Sequence, residues 1–463
     1  MPRIMYVPLI ILSCLDFAAA ESQTALQQIP DLKSLPDRTL ELQQEIDASG
    51  SLILQGAQHF RISSPLNFDL SKTGAMKFTA TTGATLIMDG PGPAIRIIGS
   101  HQGTAAPQSF KPATWNERMP VVSNIEILGA HPEADGIQLK RTVGATITGV
   151  SVRWCRHGIH LVDRNRNVVV SNCHLYENSG IGVFLDDVDL HQINIASSHI
   201  SYNRAGGVVV RDGNVRNIQI SGCDIEANMP GDETKTATAN VLLDLSGSSE
   251  DKTKSIAEVS ITGCTLQHSA NYSGSEDRTV ARGGANIRVV GKEIYPIDSV
   301  TITGNVLSDT THNVDINYAL DVVISANTFF APKPANLTVA NSRRIVVNGN
   351  TFNPRQFVRP GTIRFTNTHD SVFAASTLHS LAAKDGSVIL DGCTGFLLNA
   401  LNFSDCGSGL LLQRCSNVSI SGCRTSRTAS GGVDLSADSS NRGLTLLGNS
   451  LSGTVVVSEI AKK

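Results

Sequence analysis

The sequence predicts an all-β fold: a right-handed parallel β-helix solenoid of about twelve or more coils with a short N-terminal capping helix. Three observations lead there. Short apolar-polar alternations recur at a spacing of mostly 22 to 26 residues. A second motif of the form VxIxxCxx or VxIxxNxF lies between them. The composition, rich in Gly, Ser, Asn, Val and Ile and with only 5% aromatic residues, suits short strands and tight turns.

The first recurring segment is DGIQL at Asp135. It returns as HGIHL at His157, GIGVFL at Gly180, GGVVV at Gly206 and NVLLDL at Asn240. NIRVV at Asn286, NVDI at Asn313, NLTV at Asn336, GTIRF at Gly361, GSVIL at Gly386, SGLLL at Ser408 and GGVDL at Gly431 continue it. The second motif begins with NVVVSNCHL at Asn167 and recurs as NIQISGCDI at Asn217 and RIVVNGNTF at Arg343. Each unit reads as strand, turn, strand, turn, short strand, loop. One unit cannot bury its own apolar face, but a stack buries a continuous core. Leucine-rich repeats would show spaced Leu and helical stretches, and a propeller would need about twice the period.

Residues 1–20 read as an export signal: Arg3 at the start, an apolar run from Ile4 to Leu15, then Ala18-Ala19-Ala20. Export implies a secreted or periplasmic chain, and no other apolar run reaches membrane-spanning length. Residues 21–50 form an N-terminal cap, with a short amphipathic helix in SLPDRTLELQQEID. Residues 51–134 are irregular first coils with a loop insertion at 98–120, and 135–457 are the regular solenoid. Further insertions fall at 230–239, 246–255 and 269–284. A formal net charge of −3 with 17% charged residues excludes a nucleic-acid or anionic-membrane partner field.

The repeat absorbs the cysteines. Cys173, Cys223, Cys264 and Cys423 share one turn position with Asn305, Asn327, Asn350 and Asn449, so each serves as a small buried residue. Cys223 and Cys264 stand close enough for a disulfide to stay open. No CxxC or HxxxH spacing supports zinc. Asn178, Asn203 and Asn228 form a second ladder that satisfies turn backbone.

Outward residues of stacked strands form columns with about 4.8 Å per coil. Alignment on Ile137, Ile159, Ile181, Val208, Val241, Ile287 and Val314 as inward residues gives an outward column Gln138, His160, Gly182, Val209, Leu242, Arg288, Asp315. The next outward column reads Lys140, Val162, Phe184, Arg211, Asp244, Val290, Asn317. Arg141, Asp163-Arg164, Asp186-Asp187 and Asp212 follow at the strand end. The densest ionisable set therefore lies on coils 135 to 212.

That set suits a linear polysaccharide. Asp163 and Asp186, on adjacent coils, would stand roughly 6 Å apart, and Asp163 and Asp212 near ~9.6 Å, both within the carboxylate spacings of glycoside hydrolysis. Uronate elimination would instead use His160 or an Arg as base and Lys140, Arg141, Arg164 or Arg211 to hold an acidic sugar. The candidate catalytic residues are Asp186, Asp187, Asp163, Asp212, His160 and Asp135. Against Asp135 stands a turn-capping role, and His131, His157 and His191 read as structural. Trp115, in the 98–120 insertion, either stacks on a sugar or plugs a gap. The run DDVD (186–189) has the oxygen donors Ca²⁺ takes but lacks the glycine and loop length of a defined calcium loop, so no cofactor is assigned outright and bound Ca²⁺ stays an open alternative.

The stacked units and the Asn ladder resemble the pectin-lyase-like superfamily over about residues 120–455. That resemblance implies the β-helix fold and a function drawn from polysaccharide lyases, glycoside hydrolases, esterases, epimerases, tailspikes or adhesins. EADGIQL is similar to the TDGI strand of polygalacturonases, whose Asp is catalytic, which nominates Asp135. The DD pair that pattern expects on the next coil comes a coil later, in FLDD, and its GHG and RIK motifs are missing. The stretch from GPGPAIRIIGS to LDDVDLHQIN resembles exported bacterial β-helix proteins with no assigned reaction. The expectation is an exported protein acting on a linear, acidic polysaccharide as lyase or hydrolase; the alternative is a non-catalytic surface β-helix that binds glycan or protein.

Overall fold

A computed structural model describes residues 31–81, 83–104, 106–229, 238–250, 254–268, 281–331, 334–355 and 358–459. The expected signal segment, 1–20, lies outside the described residues, as do most of 230–239 and 269–284 and part of 246–255. Residues 31–36 belong to a separate short leading unit that contains a 3-10 turn at Leu32–Ser34. From Asp37 onward the chain is a parallel β-solenoid of about 15 turns.

One coil shows how sequence becomes shape. The strand Ile159–Ser171 bends twice, at Asp163 (φ 61°) and Asn167 (φ 54°). Asn172 (φ 53°) turns the chain into the short strand His174–Tyr176, and Glu177 (φ 56°) turns it out again. Asn and Asp tolerate this left-handed conformation because their short side chains bond locally. Between corners, side chains alternate: Ile159, Leu161, Val168, Val170 and Leu175 point inward and are buried, while His160 and Val162 face out. Each buried aliphatic side chain stabilises the coil by roughly 1.5–3 kcal/mol.

Coils stack by in-register parallel pairing into a 28-stranded sheet, which holds the first two arms of each coil, and a 14-stranded sheet of third arms. The first arms align as Ile137, Ile159, Val183, Val208 and Val241. This corrects the expected inward position of Ile181 by two residues. Phe184, not Gly182, therefore neighbours His160, and Asp186 lies between Val162 and Arg211. The extra length of the turn before Ile181 hides this shift from a simple alignment.

Two amide ladders hold the turns. Asn305, Asn327 and Asn350 pass side-chain hydrogen bonds along one of them, from Nδ2 to the next Oδ1 at 3.1 Å. The other runs Asn178 to Asn203 (2.8 Å) to Asn228 (2.7 Å), as expected. It then crosses to Asn240 (3.0 Å), Asn286 (2.8 Å), Asn313 (2.9 Å) and Asn336 (3.2 Å), which open the later first arms. All eight described cysteines are buried and free. Thiols such as those of Cys173, Cys223, Cys264 and Cys393 donate to backbone carbonyls, Cys173 to Ser171 at 3.2 Å.

The α-helix Thr39–Ser49 covers the first coil. Asp37 accepts from Thr39 N at its start, and Gly50 (φ 69°) ends it in the left-handed conformation. Leu42 and Ile46 enter the core. Gln43 accepts from Asn67 N at 2.8 Å and donates to Asn67 O at 3.0 Å, so one side chain satisfies the edge of the strand Leu66–Asp69.

Candidate functional site

The outer face of the first arms carries the candidate residues. Along its second outward column stand Lys140, Val162, Asp186, Arg211 and Asp244, one per coil. Arg141, Asp163, Asp187 and Asp212 follow at the corner, each with positive φ (58°, 61°, 42° and 54°). The corner swings their side chains off the strand line, where the coil packing makes no demand on them.

Asp186 accepts a hydrogen bond from His160 Nε2 at 3.2 Å. This bond holds its carboxyl below the usual carboxylate range, against an opposing effect of burial, with Arg211 and His157 adding to the effect. The His160 ring lies flat on Phe184, with centroids 5.1 Å apart and planes within 6°. His157 touches both rings, at 5.4 Å and 5.2 Å. The other nitrogen of His160, Nδ1, is buried without a hydrogen-bond partner. Arg211 stands over Phe184 at 5.6 Å and 3.7 Å from Asp244.

The corner aspartates differ in their surroundings. Asp163 accepts from Arg141 Nε at 2.6 Å, with Lys140 at 3.9 Å. Asp187 is paired with Lys254. Asp212 accepts from Gly247 N at 2.9 Å. Burial raises the Asp212 pKa, with the charges of Asp244 and Asp187 adding to it, against the Gly247 N–H and Lys254, which lower it.

Three of the sequence candidates have other engagements. Asp135 is buried and bidentate to Arg156, with Nε to Oδ1 at 2.9 Å and Nη2 to Oδ2 at 2.7 Å, and also accepts from His157 N. Its oxygens tie the turn before one coil to the next, in line with the turn-capping role. Arg164 is held by Asp189 and by Gly103 O at 3.0 Å, which fastens the 98–120 insertion to the solenoid. Trp115, on the short helix Pro112–Asn116, is 49% exposed; Arg118 covers it at 4.6 Å and Phe110 meets it edge-on at 5.3 Å. Arg141 and Lys140 share Asp163, and Arg211 stays on the open face.

The structure adds partners that spacing along the chain does not reveal. Lys254 reaches Asp187 from 67 residues away. Asp189 serves Arg164 and Arg166, and Arg166 Nη2 reaches it at 3.0 Å. The three acids of DDVD thus face separate partners, His160, Lys254 and the pair Arg164 and Arg166, and do not converge on one point. The one signal for His157 was its place two residues before Ile159 in the HGIHL repeat.

The comparisons with known proteins follow from this geometry. The family described as "Right handed beta helix region" matches residues 116–250. The family described as "Periplasmic copper-binding protein (NosD)" matches residues 246–460. No curated protein matches the chain. Among solved structures, the pre-mature bacteriophage phi29 gene product 12 is 12% identical over 96% of this chain and 59% of its own, with a TM-score of 0.55. The catalytic unit of a GH87 α-1,3-glucanase from Streptomyces thermodiastaticus is 12% identical over 92% of this chain and 68% of its own, at 0.45. The A-module of the mannuronan C-5 epimerase AlgE6 from Azotobacter vinelandii is 12% identical over 92% and 96%, at 0.44.

Copper, named in the second family description, finds no matching donor set here. Among the described residues no three His, Cys, Asp or Glu side chains gather as ligands. The cysteines of the matched segment lie inside the coils, where Cys393 Sγ bonds Phe365 O at 3.4 Å and Cys415 Sγ bonds Gln413 O at 3.2 Å. No helix among the described residues is long and apolar enough to cross a membrane. The chain is a right-handed parallel β-helix repeat protein.

Proposed function

We propose that the chain is an exported, carbohydrate-active β-helix that hydrolyses a linear polysaccharide laid along the first-arm face. One observation carries this reading: two carboxylates on adjacent coils sit in opposite environments. His160 favours the ionised form of Asp186, whereas burial and neighbouring acids favour the neutral form of Asp212. A pair whose environments push the two pKa values apart is the arrangement an acid and a base require. In this reading Asp186 is the base or nucleophile and Asp212 the acid. His160 is a positioning residue, since its free nitrogen is buried and reaches no proton acceptor. Arg211, Lys140 and Arg141 bind sugar hydroxyls; Asp163 holds Lys140 and Arg141 in place, and Asp244 stands beside Arg211. Trp115 offers a stacking surface at the rim. The export run from Arg3 to Ala20 would deliver the protein to the periplasm or the medium.

The test is a screen of the purified protein against a polysaccharide panel, scored by new reducing ends. Asp186→Asn and Asp212→Asn should each lower turnover by about 10²-fold or more, as loss of a general acid or base does. Turnover unchanged in both variants would remove the assignment. The orphaned His160 Nδ1 also favours a second reading, a non-catalytic glycan-binding surface. Polysaccharide binding without any new reducing ends would select it.

A further inference from the structure

The charges on the first-arm face lead to a statement about the polymer, which rests on reading that face as a polysaccharide site. We infer that the polymer it takes is uncharged. The cations in the candidate stripe are already neutralised by aspartates of the chain. Arg141 and Lys140 hold Asp163 at 2.6 Å and 3.9 Å. Arg164 and Arg166 hold Asp189, Lys254 holds Asp187, and Arg211 stands 3.7 Å from Asp244. Further along the same face, Arg288 pairs with Asp315 at 3.1 Å. Arg96, two coils before His160, bonds the neutral amides of Gln138 and Asn67.

From Lys140 to Lys254 the stripe holds six basic residues (Lys140, Arg141, Arg164, Arg166, Arg211, Lys254) and six aspartates (163, 186, 187, 189, 212, 244). The net is zero. The remaining imbalance is local and negative. Among the described residues, the hydrogen-bond partner of Asp186 is the His160 imidazole and that of Asp212 the Gly247 N–H. The side chains of Asp187 and Asp186 are 62% and 42% exposed. The segments 230–237, 251–253 and 269–280, which join these coils in sequence, hold five acidic and three basic residues, so they add no cation surplus.

A polyuronate brings one carboxylate per sugar. On this face each would meet an occupied guanidinium or an exposed aspartate, and like charges brought together suppress the wrong partner. Uronate elimination also needs a cation to neutralise the carboxylate beside the reacting carbon. A neutral sugar meets no such conflict. Its hydroxyls can donate to Asp186 and Asp187 and accept from Arg211 and Lys140 while every ion pair stays closed.

Affinity electrophoresis of the full chain tests this. Gels contain either neutral polymers (α- and β-glucans, mannan, xylan, galactan) or acidic ones (polygalacturonate, alginate), each at 20 mM and 200 mM salt. The expected result is retardation by at least one neutral polymer, unchanged by salt, and none by the acidic set. Asp186→Asn/Asp187→Asn, which removes the exposed repulsion, should gain retardation in acidic gels, on the order of tenfold at 20 mM. Retardation of the natural protein by an acidic polymer, weakening with salt, overturns the inference and leaves the polysaccharide reading standing. No retardation by any polymer overturns both.

Discussion

Two regions of the solenoid solve one problem differently. In coils 158–228 the first arm opens on glycine (Gly158, Gly182, Gly207), and the amide ladder sits in the turn that closes the same coil (Asn178, Asn203, Asn228). In coils 240–340 the same arm position is Asn240, Asn286, Asn313 and Asn336, and the ladder sits on the arm itself. The two forms exclude each other within a coil. A Cβ on Gly182 would lie 2.9 Å from Asn203 Nδ2, and one on Gly207 2.9 Å from Asn228 Nδ2. The amide needs one seat, and either the turn or the arm provides it. The glycine-opened coils also carry His157, His160, Asp186 and Arg211. The asparagine-opened coils free the turn and show fewer ionisable groups outward.

The comparison breaks most readily at the glycine. Gly207→Ala should destabilise by on the order of 4 kcal/mol, because its methyl would stand 2.5 Å from Asn240 O as well as against Asn228. Alanine at the equivalent Asn286 removes an amide and adds no clash. Chemical denaturation of both variants checks this; equal losses would end the distinction.

The second test uses pH. Burial pushes the His157 pKa down from 6.5 to about 4. Between those values the unfolded chain takes up a proton that the folded chain refuses, so stability falls as pH drops from 6.5 toward 4, by about 3 kcal/mol. His268, also pushed down to about 4 by burial, acts in the same direction. His157→Asn keeps an acceptor for Ile181 N, which His157 Nδ1 now provides at 3.1 Å, and should remove the His157 share. An unchanged loss between pH 7 and pH 4 in this variant would show that the proton binds elsewhere.

Smaller effects sharpen the second region. Asn286→Ala leaves the Ser308 carbonyl without its 2.8 Å donor and interrupts the ladder to Asn313, at a cost of about 2 kcal/mol. Amide hydrogen exchange should then rise first in the arms Ala281–Val290 and Thr310–Asn317. Arg414→Ala, which breaks an exposed pair with Asp391, should cost less than about 0.5 kcal/mol; a larger loss would mean the later coils depend on surface charge.

The sequence by itself determined the solenoid. Period, alternation and the recurring turn residues predict coils, inward residues and the shared Cys/Asn position, because a parallel stack puts equivalent residues in contact. The alignment of Asp163 with Asp212 was legible for the same reason, but the seat of Asp187 between them was not, because it depends on the register at Ile181. The sequence did not place residues whose seat changes from coil to coil. The ladder passes from Asn228 to Asn240 across a change of repeat position, and the arm at Ile181 starts two residues early, so alignment alone misreads both. Nor could it assign the partners that neutralise the face. Lys254 on Asp187, Asp189 on two arginines and His160 on Asp186 are side-chain encounters between coils. They depend on where each corner turns, and only the tertiary structure decides that.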